Sequence, residues 1–77
     1  MKVNVKLMSI FAKYDKSSSD GKTDMKDHGT VRDLAEQLGL PIKLVRIITV
    51  NGKQVDLDTG LCEDDKIYVF PPALGGG

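Results

Sequence analysis

Val3, Val5 and Leu7 alternate with Lys2, Asn4 and Lys6 at the start of the chain. A period of two predicts a strand with one face turned to a core. The alternation breaks at Met8, Ile10 and Phe11, which predicts large apolar side chains on both faces near the strand's end. Residues 15–24 have no apolar side chain and carry Ser, Asp and Gly, the composition of a polar loop. Thr23 to His28 predicts a weak edge strand whose only anchor is Met25.

The clearest element is a helix. Val31, Leu34, Ala35 and Leu38 fall on one stripe of a 3.6-residue period. Thr30 precedes it as an N-cap, because its hydroxyl accepts from backbone N–H groups that the first turn leaves unpaired. Asp33 sits at the third helical position, where it is a short version of the capping-box acid and faces the positive end of the helix dipole. Gly39 supplies the left-handed residue that closes the helix, and Pro41 prevents its continuation.

A short irregular stretch through Ile42, Leu44 and Val45 leads to the β-branched run Arg46–Val50, which predicts a strand. Asn51-Gly52 predicts a tight type I′ hairpin turn, since both positions need positive φ. Lys53–Val55 returns as a short strand. Residues 56–65 are turn-rich, with Leu61 as a core plug, and Ile67–Phe70 forms the last strand. There, Ile67 and Val69 share one face while Tyr68 and Phe70 share the other. One helix over such a sheet predicts a two-layer α+β domain over residues 1–70, with a C-terminal tail over 71–77. The helix stripe, Val3, Val5, Leu7, Ile48, Val50, Leu61, Ile67 and Val69 are the expected core. Met8, Tyr68 and Phe70, with Ile47 beside them, are expected on the sheet's other face.

Composition narrows the function more than the fold. A chain of 77 residues supports one small core. Eleven Lys and Arg balance 11 Asp and Glu, which argues against nucleic acid or an anionic membrane as the partner. Lys2, Lys6, Lys13, Lys16 and Lys22 bias the first third basic, and Asp56, Asp58, Glu63, Asp64 and Asp65 form an acidic segment. Both read first as solvated surface. One cysteine excludes an internal disulfide framework and a multi-cysteine metal site. The lack of a signal-like or long apolar run points to the cytoplasm.

No catalytic constellation emerges. His28 stands in a polar loop with no Ser or Cys nearby in sequence, and reads as a surface histidine. Cys62 is followed by Glu63, Asp64 and Asp65, which disfavour a thiolate. The acidic spacing does not match an EF-hand, so no metal is expected. The tail is different. Pro71-Pro72 is stiff and extended, and the residues after Phe70 span up to about 25 Å. Gly75, Gly76 and Gly77 have no Cβ, so they suit a narrow cleft, and Gly77 presents an open carboxylate. A carboxylate becomes an acyl donor only once activated, for example as an acyl-adenylate. By composition alone a frayed terminus is the simpler reading.

The motifs together resemble the ubiquitin-like sulfur carriers of the MoaD/ThiS family, most closely the small subunits of molybdopterin synthase. The resemblance runs through Lys2–Ser9, Thr30–Leu34, Val50-Asn51-Gly52 and Asp65–Pro72 to the terminal glycines. It implies a β-grasp fold and no catalytic residues or bound cofactor in the chain itself. An ATP-dependent adenylating enzyme would activate Gly77, which becomes a thiocarboxylate. The tail, with Gly75 and Gly76 giving access, would then enter a large molybdopterin synthase subunit and pass sulfur to a pterin precursor. Met8, Tyr68 and Phe70 would form the docking patch. Met8 replaces the family's usual aromatic, Ala12 stands where Arg is common, and Gln54 replaces an apolar residue. Asp64 takes the place of a Gly, a left-handed position that Asp tolerates. A protein modifier joined to lysines through the same glycine is the alternative, as is a thiamine-pathway carrier, against which Phe70-Pro71-Pro72 and the long first loop count.

Overall fold

A computed structural model describes residues 1–15 and 19–72. The described residues form five strands and one α-helix, β1 (Lys2–Leu7), β2 (Thr23–Asp24), α1 (Val31–Leu38), β3 (Ile47–Val50), β4 (Lys53–Val55) and β5 (Lys66–Phe70), with short 3-10 helices at Ser9–Tyr14 and Ile42–Leu44. The sheet order is β2-β1-β5-β3-β4. β1 and β5 run parallel, with Val5 opposite Ile67 and Leu7 opposite Val69. The other pairings are antiparallel. This is the two-layer α+β architecture that the alternation and the single helix predict. β2 is the expected edge strand, shortened to two residues, and Met25 just beyond it is buried.

The helix satisfies its own ends. The Thr30 hydroxyl accepts from the Asp33 N–H (3.2 Å), and the Asp33 carboxylate accepts from the Thr30 N–H (2.9 Å). The N–H groups of Val31 and Arg32 donate to the carbonyls of Thr59 (3.0 Å) and Leu57 (2.8 Å), and that of Leu34 to the Thr30 carbonyl (3.1 Å). The Leu34 bond is the first of the helix's own ladder, and the four donors before it, on Thr30, Val31, Arg32 and Asp33, are thus all paired, two of them by the turn-rich segment after β4. Gly39 adopts φ 76° and closes the other end. Thr30→Ala is therefore expected to lower stability by about 1 kcal/mol in chemical denaturation. The bond from the Thr30 backbone N–H, followed by desolvation opposing it, leaves the Asp33 carboxyl net below its usual range. A lowered folded-state value stabilises the fold above the ordinary carboxylate range and loses that contribution as pH falls through the folded value. Asp33→Asn should lie below wild type at neutral pH, with the gap closing in acid. A gap that stays constant with pH would show that the carboxylate charge is irrelevant to the cap.

Val31, Leu34, Ala35 and Leu38 bury against Val3, Ile48, Leu61, Ile67 and Val69. Val5, Leu7 and Val50, also expected inside, are only half-buried and pack on this core from its rim. The core contains one large residue that alternation did not place there. β1 ends at Leu7, the chain turns through Ser9 at φ 55°, and residues Ser9–Tyr14 form a 3-10 helix. That roll carries Phe11 into full burial and leaves Ile10 exposed, in place of a strand with bulky groups on both faces. Leu40, just past the helix, is buried too.

Thr23, opposite Val3 in the sheet, is buried, and its hydroxyl has no hydrogen-bond partner among the described residues. An unpaired buried hydroxyl carries a desolvation cost, and valine has almost the same shape with better strand propensity. Thr23→Val should therefore raise stability by about 1 kcal/mol, read as a higher urea midpoint. A lower midpoint would mean that the hydroxyl finds a partner in solution.

Candidate functional site

The features with candidate chemistry converge on the end of β5. Because β5 is the middle strand, the chain leaves the sheet from its centre and not from an edge. Its last two carbonyls are held from both sides. The Met8 N–H donates to Val69 (3.1 Å) and the Arg46 N–H donates to Phe70 (3.1 Å). The ladder therefore fixes where the tail starts and which way it leaves. Pro71 and Pro72 are the last described residues. Gly75, Gly76 and Gly77 lie outside the described residues.

Strand parity sorts the side chains of β5. Ile67 and Val69 turn to the helix and are buried, whereas Tyr68 and Phe70 lie on the opposite face. Tyr68 is 41% exposed and Phe70 is half-buried. Their rings stack, 6.4 Å between centroids and 17° from parallel. On β3, Ile47 pairs in register with Phe70 and is 44% exposed, and Thr49 pairs with Tyr68. On the other side, Leu7 pairs with Val69, so Met8 follows at the level of Phe70 and is half-buried. Met8, Tyr68, Phe70 and Ile47 thus come together on one outer face at the root of the tail, as parity predicts. Exposed aliphatic and aromatic groups side by side are a surface suited to contact with another protein.

The remaining sequence candidates are not drawn into this site. His28 and Cys62 are exposed and line a shallow depression at the other end of β1, with Met1, Asp27, Leu61 and Glu63. The Cys62 N–H donates to the Asp65 carboxylate at 2.8 Å, which closes a turn. Among the described residues, no group of three His, Cys, Asp or Glu side chains is placed to hold a metal ion. Asp64 adopts φ 67°, the left-handed position its place in the turn requires. The basic and acidic segments meet in an ion pair, Lys22 with Asp64 at 2.8 Å, and the Lys2 backbone N–H donates to the Glu63 carboxylate at 3.0 Å. No helix is long and apolar enough to cross a membrane, among the described residues.

A family model described as Mut7-C ubiquitin matches residues 3–74, nearly the whole chain. The chain belongs to this ubiquitin-like family. Its β-grasp architecture is shared with solved structures. SAMP1 from Haloferax volcanii superposes with a TM-score of 0.70 at 18% identity, covering 99% of this chain and 100% of that one. At that identity the likeness concerns the fold alone. A putative molybdopterin converting factor, subunit 1, from Pyrococcus furiosus superposes with a TM-score of 0.67 at 28% identity, covering 94% of this chain and 98% of that one. No curated protein sequence matches the chain. The resemblance drawn from the strand, turn and tail motifs is thus borne out.

Proposed function

We propose that this chain is a sulfur carrier, with Gly77 as the residue that is charged. The observation that supports this best is the exit of the chain from the middle strand, beside an apolar face, towards a glycine terminus. A terminus fixed at its root and narrow at its tip can be delivered into another protein's active site while the outer face docks. The likeness to a molybdopterin converting factor subunit supports the same reading.

The chemistry then belongs to a partner. The Gly77 carboxylate attacks the α-phosphate of ATP on an adenylating enzyme, and pyrophosphate leaves. Hydrosulfide attacks the acyl carbon, AMP leaves, and the terminus becomes a thiocarboxylate. In a large synthase subunit the thiocarboxylate sulfur then bonds to a precursor of molybdopterin, or of a related tungsten cofactor, and water cleaves the acyl carbon–sulfur bond, which returns Gly77 to a carboxylate. In this scheme the chain supplies no catalytic side chain and binds no cofactor; ATP is used by the partner. Gly75 and Gly76 let the tail enter, and Met8, Tyr68 and Phe70 hold the carrier on its partner in the cytoplasm. The ubiquitin character of the family supports a second reading, in which the same activated glycine is joined to protein lysines.

ATP–pyrophosphate exchange by the cognate adenylating enzyme should depend on this chain and on its Gly77 carboxylate. Lysine-linked conjugates in cell extract that vanish on removal of Gly77 would favour the modifier. Phe70→Ala should weaken binding to the partner by tenfold or more, on the order of the effect of an aromatic interface anchor, while the fold persists. An unfolded Phe70→Ala variant would show that this ring belongs to the core.

A further inference from the structure

Beside the apolar face lies a cleft of about 310 Å³, lined by Asn4, Lys6, Lys66, Tyr68 and Gly21 together with Val5 and Ile67. Its charges are set by the parallel pairing of β1 with β5. Lys6 stands opposite Tyr68, and Asn4 stands opposite Lys66. Lys66 is two residues before Tyr68 on the same strand face. One exposed aromatic ring therefore has a lysine across from it and another below it. Both lysines are exposed, and neither forms an ion pair among the described residues.

The carboxylates that border the cleft are already engaged. Asp20 accepts from the Lys22 N–H (3.0 Å) and pairs with Lys2 (3.3 Å). Asp64 pairs with Lys22 (2.8 Å). Asp65 is half-buried and accepts from Asn51 (2.8 Å) and from the Cys62 N–H (2.8 Å). The outward positions of β1, β5 and β3 contribute no carboxylate. On a chain with no net charge, this face is locally cationic. A basic cleft next to stacked aromatic rings complements an acidic side chain next to an apolar one.

We propose that the cleft receives aspartate or glutamate side chains of a partner protein, which pair with Lys6 and Lys66 while apolar partner groups cover Tyr68 and Phe70. The lysines would set the orientation and speed of docking more than its strength. The inference takes its location from the docking face proposed above, but not the sulfur chemistry.

The test is an NMR titration of the full-length, 15N-labelled chain with hexaglutamate, and with hexalysine as control. Hexaglutamate should move the amide signals of Asn4, Lys6, Lys66 and Tyr68 first, and less so as salt is raised. The response should vanish in a Lys6→Glu/Lys66→Glu variant and fall in the milder Lys6→Gln/Lys66→Gln variant. The same signals moving in the charge-reversed variant, or not moving in wild type, would overturn the proposal. So would movement on dilution alone, which would assign the cleft to a second copy. Movement on truncation after Pro72 would assign it to the chain's own tail and overturn it as well. Separately, the charge-reversed variant should bind the adenylating enzyme roughly three- to tenfold more weakly, with a flatter salt dependence. If wild type does not bind that enzyme while hexaglutamate still occupies the cleft, the carrier reading fails and the acidic-partner inference stands.

Discussion

Phe11→Ala is expected to remove a quarter or more of the stability of the domain. The side chain is completely buried, and truncating such a ring costs about 3–5 kcal/mol, because the transfer energy is lost and a cavity is left. A domain of 77 residues has a total stability of about 4–12 kcal/mol on the usual per-residue range. One substitution therefore removes between a quarter and all of it. In urea unfolding followed by circular dichroism, the midpoint should fall steeply or the native baseline should disappear. Ile10→Ala next to it is the control. Ile10 is 43% exposed, and its loss should change stability by no more than about 0.5 kcal/mol. Equal effects at the two positions would mean that the 3-10 helix does not insert Phe11 into the core.

Removing Gly75–Gly77 should have the opposite profile: full loss of function with an unchanged fold. The last strand ends at Phe70, and its last two carbonyls are held by the Met8 and Arg46 N–H groups, so among the described residues no hydrogen bond of the sheet involves a residue beyond it. The thermal midpoint of the truncated chain should match wild type. Binding through the outer face should survive, since Tyr68, Phe70 and Ile47 are untouched. Charging by the adenylating enzyme should fall to background, because the acyl group is gone. A truncated chain that still supports sulfur transfer would exclude the tail as the acyl carrier.

Much of the fold was legible because its signals are local. The cap at Thr30, the stop at Gly39 and the stripe from Val31 to Leu38 each depend on neighbours within one or two turns. Asn51 (φ 53°) and Gly52 (φ 88°) form the hairpin their dipeptide predicts. Parity likewise placed Tyr68 and Phe70 on the outer face. Phe11 was not legible from alternation. The break after Leu7 depends on Ser9 taking a left-handed φ, and a serine does not announce that conformation as a glycine would. Leu40 followed a helix stop and carried only the weak signal of an apolar residue beyond a glycine.

The candidate site was legible in part for the same reason. The residues of β5 follow from one strand's parity, but Lys6 reaches Tyr68 only because β1 and β5 pair in parallel across some sixty residues of sequence. The same holds for Lys22 and Asp64, whose ion pair joins two apparently separate charged segments. Long-range pairing is a property of topology, and no local pattern carries it.

Charging of Gly77 with sulfur is read by intact-mass spectrometry of the chain after incubation with its adenylating enzyme, ATP and a sulfur donor. The mass should rise by the replacement of one oxygen by sulfur, located by fragmentation at Gly77 and absent without ATP. An unchanged mass with an enzyme that binds the chain and turns over ATP would contradict it.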